Sequence, residues 1–251
     1  MSQSAAAAET GISEAKLSKV ERGVNGAIKI NDVHAISAAY ELESHEKNHL
    51  RELAEASDSP GWYHRYDVPQ EFAHFIEQQE AATRIYIYEQ EFVNGLFQLD
   101  AYLDDLRANR PRKGEEPDRG LRAERQENVF AKAVPPEIAY LANEGSLRRQ
   151  VGGPDVMRAQ IQHLLKIDER DHVSILVVPF GAGAHPSMSG SYSILYFADE
   201  VFPTTVYLES LHEGQHQDEE DFVKHHEEAF AGTRQIAVPI KEFMNGNNEL
   251  A

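Results

Sequence analysis

The sequence predicts two parts: an all-α amino-terminal domain over residues 1–56, and a larger α+β domain over 57–251 in which a small sheet is covered by helices. Three observations carry this. Up to about residue 56 the apolar residues recur at helical spacing. Ser57-Asp58-Ser59-Pro60-Gly61 then interrupts the pattern with a cluster of turn formers. Beyond it the period changes, because 137–141 and 173–178 are β-rich apolar runs with helical patterns around them. A chain of 251 residues, 41% of them hydrophobic, can bury one small and one larger core.

Residues 2–9 read as an alanine-rich helix capped by Ser2, and Gly11 supplies a tight turn. From Ser13, a good N-cap, nothing breaks a second helix until Gly23, which ends it. Ile12, Leu17 and Val20 point inward, leaving Ser13, Glu14, Lys16, Ser18 and Lys19 on the outer faces. Helix, glycine turn, helix is the geometry that lays a recognition helix into the major groove of DNA. Two more helices follow. The first spans 30–40 with Ile30, Val33, Ile36 and Tyr40 near helical spacing and Asn31 or Asp32 as its cap; the second spans 44–56 with Leu50, Leu53 and Ala54 on its apolar side.

The run TGISEAKLSKVERG (10–23) resembles the second and third helices of xenobiotic-response-element-type helix-turn-helix repressors. In that family the start of the recognition helix touches base edges. Carried over by position, the resemblance implies DNA contacts by Ser13, Glu14 and Lys16, a further contact by Lys19, with Ser18 on the same helix, and Gln3 anchoring the preceding helix to the DNA backbone. The chemistry fits: Lys donates to guanine O6 or N7, Glu accepts from cytosine N4, and Ser and Gln bind phosphate oxygens. The resembled domain has a further helix before the one at Ser2. The domain at 1–56 is therefore expected to be incomplete at its amino end, its exposed apolar surface covered by residues upstream, by another chain or by another part of this one.

Charge argues the other way. The chain carries 24 basic and 42 acidic residues, a formal charge of -18. Between Ile12 and Lys29 the balance reverses, with Lys16, Lys19, Arg22 and Lys29 against Glu14 and Glu21. One small positive island implies weak non-specific affinity and a shallow salt dependence, so useful binding is expected of a homodimer on a pseudo-palindromic site. The absence of cysteine excludes disulfides and thiolate zinc sites and fits a reducing compartment. No signal peptide or membrane span is evident, so a cytoplasmic protein is expected.

In the second part, Trp62, Tyr63 and Tyr66 form an aromatic hinge, and Phe72, Phe75, Ile76 and Ala82 mark an amphipathic helix. Residues 85–88 make a short extended or turn segment, 99–108 a helix, 110–120 an exposed loop, and 121–132 a helix ending before Pro135-Pro136. Between the runs at 137–141 and 173–178 lies a helix from 155 to about 167, with Met157, Ile161, Leu164 and Leu165 on one face. Strands at 191–197 and 204–208 follow, and a helix over 218–236 turns Phe222, Val223, Ala229 and Phe230 inward.

The segments YEQEFVNGLFQLDAY (88–102), LRAERQ (121–126), EGSLRRQVGGPDVMRAQIQHLL (144–165) and VPFGAGAHPSMSGSYSILYF (178–197) resemble a domain of unknown function that follows the helix-turn-helix in a large group of actinobacterial regulators. The resemblance implies a transcriptional regulator of development or secondary metabolism, with small partner proteins encoded nearby. It implies no catalytic residue and no cofactor.

Three patterns stand beside it. His212-Glu213-Gly214-Gln215-His216 fits H-E-x-x-H, in which His212 and His216, one helical turn apart, would bind zinc as in a metallopeptidase. The motif follows a strand-like run and contains Gly214, which favours a polar loop. Gly181-Ala182-Gly183-Ala184-His185-Pro186 follows a strand; a tight connection is expected, with a ligand pocket near His185 as the alternative. Arg148-Arg149 are suited either to clamping an anionic effector or to surface ion pairs. The expected function is a sequence-specific regulator bound to double-stranded DNA, not an enzyme. The alternatives are a zinc peptidase and an interaction protein with a degenerate DNA-binding domain.

Overall fold

The computed structural model describes residues 2–21, 28–57, 61–109, 119–198, 203–210 and 214–247. The chain divides into two compact units, Met1–Arg65 and Tyr66–Ala251. The break falls after the short 3-10 turn Trp62–Arg65, beyond the expected boundary at residue 57, so the buried Tyr63 belongs to the first unit.

The first unit is wholly helical among the described residues: α1 (Gln3–Thr10), α2 (Glu14–Glu21), α3 (Ile30–Ala39) and α4 (Ser44–Ser57). Ser2 caps α1 by accepting the Ala5 amide, and Gly11 ends it at φ +69°, where a side chain would be strained, its amide donating to the Ala7 carbonyl. Ile12 and Leu17 are buried against Ala6, with Ala35 and Ile36 of α3 packed beside them. Asp32 helps to cap α3 from the N3 position of a capping box and does not itself stand at the N-cap, nor does Asn31. The extended residue Lys29 stands at the N-cap, and Asp32, one turn in, accepts the Lys29 amide at 2.7 Å. Gly23 lies outside the described residues.

The second unit is α+β, and its sheet is larger than expected. Seven strands run in the order β6-β5-β4-β1-β2-β3-β7: β1 (Arg84–Glu89), β2 (Glu137–Asn143), β3 (Val173–Val178), β4 (Tyr192–Tyr196), β5 (Thr205–Glu209), β6 (Gly214–Gln217) and β7 (Val238–Pro239). β1, β2 and β3 are parallel and the remaining pairings antiparallel. Parallel neighbours need long crossovers. α6 (Asp100–Ala108) and α7 (Arg119–Phe130) lie between β1 and β2, and α8 (Glu144–Arg148) and α9 (Pro154–Ile167) between β2 and β3. Residues 85–88, expected as a short extended or turn segment, belong to β1, hydrogen-bonded on both sides near the middle of the sheet.

Period-two alternation divides the core. Ile85, Ile87, Ile138, Tyr140, Ile175 and Val177 face one layer, which also holds Phe75 of α5 (Gln70–Ala81), Tyr102, Val129 and the Met157, Ile161 and Leu164 stripe of α9. Tyr88, Ala139, Leu141 and Val178 face the other, under Val223 and Phe230 of α10 (Glu220–Arg234). Both faces are covered, so β3 reads as an apolar run interrupted only by Ser174. α11 (Ile240–Asn245) closes the first layer with Phe243 and Met244. Among the described residues no helix is long and apolar enough to cross a membrane.

Candidate functional site

On the first unit the six residues read as DNA contacts come from α1, α2 and the turn between them. Gln3, Ser13, Glu14 and Lys19 are exposed, and Lys16 and Ser18 are half-buried. Ser13 Oγ accepts the Lys16 amide at 3.3 Å, so its hydroxyl serves the α2 cap. Lys16 is not on a free face: its Nζ lies 2.6 Å from Asp32 Oδ2. Burial pushes the Asp32 carboxyl up, but the Lys16 ammonium and the Lys29 amide outweigh it and hold it below the usual carboxylate range. Among the described residues Lys19 makes no ion pair, and it and Glu14 are exposed charges of α2.

On the second unit, parallel pairing brings Glu89, Asn143 and Val178 to one edge of the sheet. Ligands of open α/β sheets bind beyond the carboxyl ends of the strands. The segments that follow these strands carry Arg148 at the end of α8, Arg149 just after it, and His185, so topology places all three at one end of the larger unit. The charges of both arginines are already met. Arg148 pairs with Glu144 and donates to Asn247 Oδ1 at 2.7 Å, and Arg149 pairs with Glu91. His185 is half-buried with its ring edge-on to Tyr88 at 5.6 Å, and burial lowers its pKa. The glycine run folds into two 3-10 turns, Phe180–Ala182 and Pro186–Ser189, and meets no following helix, as a tight connection requires.

The same end holds a buried polar network that the sequence reading missed. Glu89 closes β1, is 6% exposed, and accepts the Asn94 side-chain amide at 2.7 Å. Burial raises its carboxyl to about 7 against the opposing hydrogen bonds from Asn94 and Ser191. Asn94 N–H donates to the Tyr140 hydroxyl at 3.2 Å and Val93 N–H to that of Tyr102 at 3.0 Å. Gln98 donates to the Val93 carbonyl, Gln126 of α7 to the Gln98 carbonyl, and Gln160 of α9 to the Phe97 carbonyl. Each amide completes a backbone group of the 93–99 loop that the sheet cannot reach. At Gly95 α7 comes close, since a Cβ there would stand 2.3 Å from Arg122 Nη1. The signal was present as polar residues repeated through YEQEFVNGLFQLDAY and LRAERQ, two segments that dock on each other.

Arg125 is buried among Phe72 and Phe75, and its Nε donates to Gln79 Oε1 at 2.6 Å. Desolvation lowers its pKa to about 10, which leaves it charged at neutral pH. Between α7 and α9 a groove of about 300 Å³ is lined by Leu96, Phe130 and Ile167, with His163 and Arg170 also at its walls.

The zinc pattern loses its helix. Gly214–Gln217 form the edge strand β6, on which residues two apart share a face and no helical turn exists. His216 Nδ1 lies 2.8 Å from Gln78 Oε1 and Nε2 2.9 Å from the Glu71 carbonyl, so both ring nitrogens are engaged. His212 and Glu213 lie outside the described residues. Among the described residues no three His, Asp or Glu side chains are grouped to hold a metal ion.

Residues 72–243 match the family described as Domain of unknown function (DUF5753), a span from α5 into α11 that takes in the whole sheet. No curated protein matches the chain. The matched span holds the polar loop network, the paired arginines and His185, and it covers well over half of the chain. On that match, the chain belongs to the DUF5753 family.

Proposed function

We propose that the chain is a sequence-specific DNA-binding transcriptional regulator in which α2 enters the major groove as a recognition helix. The larger unit then serves a second task, either dimerisation or the capture of a small partner protein or effector. The observation that carries the reading is the pair α1 and α2, joined through the left-handed Gly11 with α2 presenting Glu14, Lys16 and Lys19 on its polar side. The net acidity of the chain limits non-specific attraction, so two copies on one site are part of the proposal.

The test is selection of bound duplexes from fragmented genomic DNA, followed by titration of Lys16→Ala/Lys19→Ala against a recovered fragment. Each lysine contact removed is worth about 1–3 kcal/mol, so specific binding is expected to weaken by roughly thirtyfold or more. Thermal unfolding should stay close to the wild type, because Lys19 is exposed and a partly exposed ion pair contributes about 1 kcal/mol or less. Unchanged DNA affinity in the double variant would remove the groove assignment.

A further inference from the structure

We infer that Asp32 is an internal competitor for DNA, holding Lys16 of the recognition helix until a nucleotide acceptor displaces it. The inference rests on the reading of α2 as a DNA-binding helix and adds a regulator of that contact. Lys16 Nζ and Asp32 Oδ2 are 2.6 Å apart, with the side chains 34% and 14% exposed. The carboxylate is held from a second side, since the same Oδ2 accepts the Lys29 amide at 2.7 Å. Asp32 is thus fixed to the first turn of α3, whereas Lys16 reaches it through a flexible stem from a different helix. The fixed partner stays and the flexible one can leave.

The chemistry sets the direction of the effect. A lysine ammonium that reads guanine O6 or N7, or that neutralises a phosphate, must part from Asp32. The carboxylate left behind would then face the same duplex and repel it. Both consequences oppose binding, so neutralising Asp32 should strengthen it. The opposite role, Asp32 aiming Lys16 at a base, requires the pair to persist in the complex and predicts weaker binding without the carboxylate.

The experiment compares wild type, Asp32→Asn, Lys16→Gln and the double variant on a short duplex recovered by the wild type from genomic DNA, at several salt concentrations. Asparagine retains an oxygen for the Lys29 amide, and circular dichroism verifies the fold; Asp32→Ser serves if the asparagine variant unfolds. Asp32→Asn is expected to bind about fivefold tighter, the scale of one partly exposed ion pair released. The slope of log affinity against log salt should steepen by about 0.9, the contribution of one further neutralised phosphate. In the Lys16→Gln background the gain should largely vanish. Equal or weaker binding by folded Asp32→Asn, while the wild type binds its duplex, overturns the competitor and leaves the DNA reading intact. Failure of the wild type to recover any duplex overturns both.

Discussion

Replacing Gln160 by leucine should destabilise the larger unit by roughly 2–6 kcal/mol. Gln160 sits on α9 with 0% exposure. Its Nε2 donates to the Phe97 carbonyl at 2.7 Å and its Oε1 accepts the Leu99 amide at 2.8 Å. One side chain therefore satisfies two backbone groups just before α6. Leucine fills a similar volume and adds apolar contact, so the loss comes from the orphaned groups, each costing about 1–3 kcal/mol when buried without a partner. Urea denaturation should show a lower midpoint with an unchanged slope. Glu at the same position keeps only the acceptor and should be no better. A leucine variant as stable as the wild type would show that water or a rearranged loop takes over both contacts.

Glu89→Gln should change how stability depends on pH. The Glu89 carboxyl is raised to about 7 in the fold, chiefly by burial, from an ordinary value of 4.5. Between those values the folded chain holds a proton that the unfolded chain has released, so this group lowers stability as pH rises. The loss begins above about 4.5 and is complete above about 7. At about 1.4 kcal/mol per tenfold difference in proton affinity it reaches roughly 3 kcal/mol. Glutamine keeps an oxygen for Asn94 and cannot ionise. The variant and the wild type are expected to be nearly equal at pH 5 and to separate by roughly 2–3 kcal/mol at pH 8, the variant being more stable. Parallel stability curves across that range would mean that Glu89 ionises in the fold without penalty. Neither substitution touches α2, so both test the larger unit independently of DNA binding.

The helices of the first unit were largely legible because their signals are local. Ser2 bonds an amide three residues on, Ser13 does the same, and Gly11 takes the left-handed geometry at the end of α1. The apolar faces of α9 and α10 were legible for the same reason, the spacing of Met157, Ile161 and Leu164, or of Val223 and Phe230, being a property of one segment. Residues 85–88 looked short and ambiguous alone. They form β1 because Ile85 pairs with Ile138 on one side and Leu195 on the other. Strand β6 left no apolar trace, since GQHQ is held at the edge by its ladder to β5.

For the candidate sites the division is sharper. The outward residues of α2 followed from helical spacing, and the segments after the strands that carry Arg148, Arg149 and His185 from the strand pattern. Whether those side chains were available did not. Asp32 on Lys16 and Glu91 on Arg149 are partners chosen by the fold, whereas Glu144 stands one helical turn from Arg148 within α8. By itself, then, the sequence determined the helices, their caps and turns, and which faces are apolar, because each depends on residues within about one helical turn. The tertiary structure alone decided which polar groups are buried, that Lys16 and Arg149 are already matched and where Glu89 loses its water, because those depend on neighbours brought together from distant parts of the chain.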